Sequence, residues 1–522
     1  MSLENSPSSC RMPPASAYKK GKRASVAFAR KAKAKKKRVA KREAKNAEKK
    51  ARHVAKVAKS LKLVEAVVVK LKAQPGVAKV AEWACLKLWI IACTNTGAEA
   101  CIAAGAVLAI VGALKAHLGV ADVTKLACAA LKSIAHSDAG KESCIAAGAV
   151  AAIVAALEVQ SGVAEVARQA CYALQNISFL DAGKESCVAS GAVPAIVGAL
   201  KAHPAVPNVV ELACGAIWNI AINDAGNEAC VASGAVATIV SALKAHPSVA
   251  EVAIEACGAL LCIASKDAGK ESCIAGGAVP AIVGALQAHP GVADVAKMAC
   301  GALLNIASKD TGKESCVAGG AVAAIVSALE AHPGVAEVAE RSCDALRKIA
   351  LTDAGAEACI ASGAVEAIVA TLKAHPCGVR VAERACGALG IIALNAGAEA
   401  CIAAGAVAAI ATLNAHPGVM RAAEEAYDAL ESITITDGET DAGKMACIEA
   451  RAVAAIEAKL KAHPDVATVA KRISVLQLFT RSELGEEACT VLEAAGGQPC
   501  TALEDAGGQP MTGSLAGFKR KR

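Results

Sequence analysis

The chain has 522 residues, 55% of them hydrophobic yet only 2% aromatic, and a formal net charge of +8. A single compact core of that size would be unusually large, and without aromatics it must be built from Ala, Val, Ile, Leu and Cys. No apolar run reaches the roughly 18 residues of a membrane span, since CIAAGAVLAIVGAL breaks at Lys115, and Met1–Cys10 is polar with no apolar stretch of a signal peptide after it.

The first element is a polycation. Between Lys19 and Lys59 stand nineteen Lys and Arg against Glu43 and Glu48 alone, with Ala interleaved. Pro and Gly are nearly absent there, so Ser25–Ser60 can form a helix, although it has little apolar surface to pack. Residues 1–59 are therefore expected to be a basic segment, partly helical or disordered. Three roles suit it. Lys35, Lys36, Lys37 and Arg38 fit a targeting signal read by a carrier. The whole segment fits nucleic acid or another acidic surface. It could also fold back on acidic groups of its own chain, because residues 60–518 hold 32 Lys and Arg against 45 Asp and Glu.

From residue 60 to about 480 the chain repeats itself. Gly105, Gly148, Gly191, Gly234, Gly277, Gly320 and Gly363 follow one another at 43 residues, and Gly405 comes 42 later. His203, His246, His289, His332 and His375 keep the same step, each ahead of a proline. A period between 20 and 50 residues marks a solenoid, in which each unit buries its apolar face only against its neighbours. Such arrays present extended binding surfaces.

Lys266–Ser308 shows the anatomy of one unit. Asp267 is a plausible N-cap, with Glu271 in the first turn, where the helix dipole favours an anion. Gly276–Gly277 breaks this short first helix, because Gly reaches positive φ at low cost. A second helix over about Ala278 to Ala288 spaces Val279, Ile282, Val283 and Leu286 three and four apart. His289–Pro290 stops it. The third helix starts near Gly291 and turns Val292, Val295, Ala299, Leu303 and Ile306 inward. At the end of each second helix the periodic His is expected to cap orphan carbonyls.

Of the 23 cysteines, nine hold one register position (Cys101 through Cys447) and eight another (Cys85 through Cys386). Both positions are flanked by small apolar residues, where a free thiol packs as a hydrophobe. No C-x-x-C pair suggests zinc. Packing is preferred to metal or disulfide, which implies a reducing compartment, cytoplasmic or nuclear. No phosphate loop and no nucleophile–base pair is found: His136 has Ser137 and Asp138 beside it, but sequence neighbours cannot form a relay. Neither catalysis nor a cofactor nor a metal is expected.

A short helix, a glycine, a longer helix, a proline turn and a long helix in about 43 residues resemble the armadillo repeat. The likeness rests on the GAV turn, the second-helix IV-x-AL and the third-helix AC-x-AL-x-NIA, as in Ala299–Ala307. The resemblance implies an all-α, right-handed solenoid of nine to ten three-helix repeats over residues 60–480, with Asp441–Thr480 as a degenerate last unit. It also implies a concave face of third helices that takes extended segments of a protein partner.

On that face helical spacing aligns the positions six and three before the third-helix Cys, and one and five after it. They include Glu165, Arg168, Tyr172 and Asn176, then Glu211 and Asn219, Glu251, Asp294 and Asn305, and finally Glu337, Glu340 and Asp344. The plain reading is a row of solvated charges; as a ladder it is a mildly acidic peptide-binding groove. Importin α, an armadillo protein that also has a basic N-terminal segment, pairs Trp and Asn on these helices. This chain keeps Asn176, Asn219 and Asn305 but has Tyr172, Gly215 and Gly301 for Trp, with Trp218 beside the stripe. A nuclear-transport adaptor of that kind is thus the second reading, behind a general interaction scaffold. Residues 481–522 close the chain as a low-complexity tail, with AGGQP at Ala495–Pro499 and Ala506–Pro510 and a basic end at Lys519–Arg522.

Overall fold

The structure, a computed structural model, describes residues 48–412, Lys45 and, except for residue 427, residues 425–433. Lys35–Arg38, the degenerate unit at 441–480 with Cys447, and the tail from 481 lie outside the described residues. The chain falls into two units, Met1–Ala149 and Val150–Arg522. Among the described residues both are built from helices without any strand.

In the first unit a helix over residues 48–73 runs continuously across the expected boundary at residue 60. Its second half buries Val64, Val67, Val68 and Leu71. Ala78–Ala92, Asn95–Ala103, Ala106–Ala116, Ala121–Ile134 and Asp138–Ala146 follow. The second unit repeats one three-helix pattern in which each helix packs against its own kind. Third helices stack in the order Ala164–Ile177, Pro207–Ile220, Ala250–Ile263, Ala293–Ile306, Ala336–Ile349 and Val379–Ile392. Second helices form a parallel row, and so do the short first ones. This is a helical, solenoid-like array.

The local causes are visible in the unit made of Asp267–Ala275, Ala278–Ala288 and Ala293–Ile306. Gly277 sits at φ +68, and the first and second helices meet there at 75°. The second helix has the expected bounds. Val279 and Ile282 have no exposed surface, and each such side chain contributes about 1.5–3 kcal/mol on burial. All sixteen described periodic cysteines are buried and unbridged. Burial pushes the thiols of Cys144, Cys171 and Cys273 up to about 12, so they remain uncharged.

Two local expectations are corrected. The first-helix N-cap stands one residue earlier than Asp267, at Lys266, and at Ser137 ahead of Asp138. Ser137, Asn223 and Thr352 accept from the backbone N–H three residues on, at 3.2, 2.7 and 3.2 Å. Lys266 and Lys309 cannot cap, and instead reach back to acids of the preceding first helix: Lys266 to Asp224 at 2.7 Å, Lys309 to Glu271 at 2.5 Å. The second correction concerns histidine. His203 and His246 do not cap their own helix with the ring; Nε2 lies 2.7 Å from the carbonyl oxygen of Ser161 and of Pro204, 42 residues back. In the first unit His117 meets Pro75 in the same way at 2.9 Å. At these three positions the histidine is a tie between successive turns; the Nε2 atoms of His289, His332 and His375 are buried without such a bond.

Candidate functional site

The third helices of the second unit carry the residues that sequence spacing aligned. Glu251, Asp294 and Glu337 are exposed, while Glu165, Arg168, Tyr172, Asn176, Glu211, Asn219, Asn305, Glu340 and Asp344 are half-buried. Much of the ladder is occupied by itself. Arg168 donates to Glu165 through Nε and Nη2, at 2.8 and 2.6 Å, and Gln169 adds a third bond at 3.1 Å. Lys297 bridges two helices, holding Asp294 at 2.7 Å and Glu337 at 3.3 Å. Arg380 reaches Glu340 at 3.1 Å, and Arg347 and Arg384 both reach Asp344, at 2.7 and 3.3 Å.

The asparagines also serve the stack. Asn219 Nδ2 donates to the Gln175 carbonyl at 3.0 Å and Asn305 Nδ2 to that of Leu261 at 2.9 Å, each on the preceding third helix. One N–H of each amide thereby holds neighbouring helices together. Asn395 does the same toward Ala350 at 2.8 Å.

Gly215 and Gly301 on the stripe are buried. Gln175 from the helix before and Glu255 from the helix after converge on the space beside Gly215. Trp218 lies against Gly258 from the preceding helix, and Leu261 and Arg341 flank Gly301. The pattern is regular: the residue four after one Cys and the residue two before another meet over the glycine between them. Trp218, placed beside the stripe by helical geometry, belongs to this ridge.

One stretch of the face has no such neutralisation. Glu211, Glu251 and Glu255 lie on the adjacent helices Pro207–Ile220 and Ala250–Ile263, and no Lys or Arg among the described residues forms an ion pair with any of them. Burial, followed by the nearby Glu211 charge, pushes the Glu255 carboxyl up to about 7. Glu211 is raised by burial and then by Glu251. Glu255 was missed by the stripe geometry. Its signal in the sequence is a carboxyl two residues before the Cys, where other units carry Leu212 and Met298.

A cavity of about 300 Å³ opens between Ala278–Ala288 and Ala321–Ala331, lined by Leu286, Gln287, His289 and Ser327 among others, away from the stripe residues. Among the described residues no three His, Cys, Asp or Glu side chains gather as a metal site. No helix among them is long and apolar enough to cross a membrane by itself.

No family model and no curated protein matches this chain. Among solved structures, the crystal structure of an engineered protein is similar at 29% identity and a TM-score of 0.41, over 47% of this chain and 96% of that one.

Proposed function

We propose that the array is an armadillo-type, right-handed solenoid of about 43-residue units, and that it is a protein-interaction scaffold. The partner is an extended, basic segment laid across the third helices at Glu211, Glu251 and Glu255. The observation that carries this reading is the contrast along one face. Asp294, Glu337, Glu340 and Asp344 have cationic partners, whereas these three have none among the described residues. Glu211 and Glu255 are half-buried, and carboxyls in that setting without a counter-charge are costly. An incoming Lys or Arg relieves that cost, so binding there is stronger than at a fully exposed pair, worth only about 0.2–1 kcal/mol. A reducing compartment, cytoplasmic or nuclear, suits the unbridged thiols. The transport-adaptor reading finds less support, since the ridge glycines are filled by the chain's own side chains and offer no aromatic clamp.

The test is a titration of a fluorescent arginine-rich octapeptide with the intact chain and with a Glu211→Gln, Glu251→Gln, Glu255→Gln variant. We expect the variant to bind at least tenfold more weakly with an unchanged helical signal. Equal affinity would move the binding surface elsewhere. Capture of partners from a lysate by both proteins, read by mass spectrometry, then identifies the natural ligand.

A further inference from the structure

The helix over residues 48–73 carries a second feature, separate from the acidic face. Lys49, Arg52, Lys56 and Lys59 follow at intervals of three, four and three and are all exposed. Lys45, itself helical and exposed, stands four residues before Lys49. At 100° per residue such spacing keeps the four cations within about 40° of one line along about 15 Å of helix. In the sequence the same alternation continues backward through Arg42, Arg38, Lys35 and Lys31.

The stripe is held in place. Farther along the helix and about a quarter turn round it, Val64, Val67, Val68 and Leu71 are buried; Lys70 lies 4.2 Å above the Trp83 ring, and His53 Nε2 stands 2.8 Å from Glu99. Those contacts orient the cations sideways into solvent. Glu48, paired with Arg52 at 2.5 Å, is the one carboxylate that touches the stripe among the described residues.

We propose that this stripe binds the phosphate backbone of double-stranded nucleic acid without sequence preference. The side chains favour phosphate over a protein surface. Ala55 borders the stripe, and between residues 48 and 59 no aromatic or large apolar side chain stands within it as an anchor of the kind that protein interfaces centre on. Lys is depleted at the cores of protein interfaces, whereas a phosphate backbone needs only matched charge. No Asn or Gln stands on the stripe between 48 and 59 to read adenine, and its evenly spaced Lys and Arg are matched to a row of phosphates, so binding is expected without sequence preference.

The experiment follows a fluorescein-labelled 20-base-pair DNA duplex by anisotropy with the intact chain between 50 and 200 mM salt. Two triple variants remove the same charge from the same helix: Lys49→Ala, Lys56→Ala, Lys59→Ala on the stripe, and Lys50→Ala, Lys62→Ala, Lys72→Ala off it. Ala is the best helix former, so both should keep the helical signal. Each backbone contact contributes close to one unit of salt slope. The stripe triple is expected to lower the log–log slope by about three units and the affinity more than tenfold, and the off-stripe triple to lower affinity less than threefold. Equal losses in the two triples would overturn the stripe, as would an intact chain that fails to bind the duplex. If poly-L-glutamate displaces the duplex as well as unlabelled duplex does at equal charge, the surface serves acidic proteins and the nucleic-acid assignment falls.

Discussion

His246 and Pro204 are 42 residues apart in the chain, yet the imidazole Nε2 of one lies 2.7 Å from the carbonyl oxygen of the other. A carbonyl only accepts, so Nε2 carries the proton and donates. His203 repeats the arrangement on Ser161. His289 holds the same register position, but its Nε2 is buried without a partner. Truncating His246 and His289 therefore separates the bond from the packing. His246→Ala should lower stability by about 1 kcal/mol more than His289→Ala, the net value of one hydrogen bond. Urea denaturation of the two variants measures it, and equal losses would make the tie irrelevant.

Glycines of three environments should respond differently to a methyl group. A Cβ at Gly269 would fall on the Ile263 carbonyl at the end of the preceding helix, so Gly269→Ala should cost about 3 kcal/mol. At Gly277 the φ of +68 is the obstacle, and Gly277→Ala should cost about 1–2 kcal/mol, with Gly277→Val costlier still. Gly284 lies within Ala278–Ala288 with open space around it. Gly284→Ala should raise stability by about 0.5–1 kcal/mol. Melting temperatures in that order would support the assignments.

Glu255 makes stability depend on pH in an uncommon direction for a carboxylate. Its folded value, about 7, lies above the ordinary 4.5, so the folded chain holds the proton more tightly than the unfolded one. Stability contributed by the protonated group is complete below about 4.5 and is lost as pH rises through about 7. Glu255→Gln should melt higher than the parent at pH 8, with the gap closing toward pH 4.5. A gap that stays constant with pH would assign the effect to packing.

Thiol reactivity should divide the cysteines by register. Cys93 and Cys377 are exposed, whereas the sixteen described periodic thiols are buried. Brief alkylation of the native chain followed by peptide mass spectrometry should mark Cys93 and Cys377 and leave Cys85, Cys171 and Cys316 untouched. Rapid modification of those three would contradict their place in the core.

Much of the helical pattern could be read in the sequence because its causes are local. Gly277 breaks the chain through its own φ, and Ala278–Ala288 is framed by that glycine and by His289. Val279, Ile282 and Leu286 lie on one side through helical spacing alone. The cysteine registers were legible for the same reason. The candidate site was legible only in part: Glu211 and Glu251 fell on the expected stripe, and Glu255 did not.

What the sequence alone could not decide was which side chains meet between repeats. Gln175 and Glu255 close on Gly215, Asn219 donates to Gln175, and Lys297 bridges Asp294 and Glu337, all between helices about one or two repeats apart. Those meetings depend on how far each helix is rotated and staggered against the next. That is set by the packing of many small side chains at once, because ridges of one helix must settle into grooves of its neighbour. A periodic sequence therefore determines the helices and their apolar faces by local rules, while the tertiary stack decides which acids are neutralised and which keep no counter-charge among the described residues.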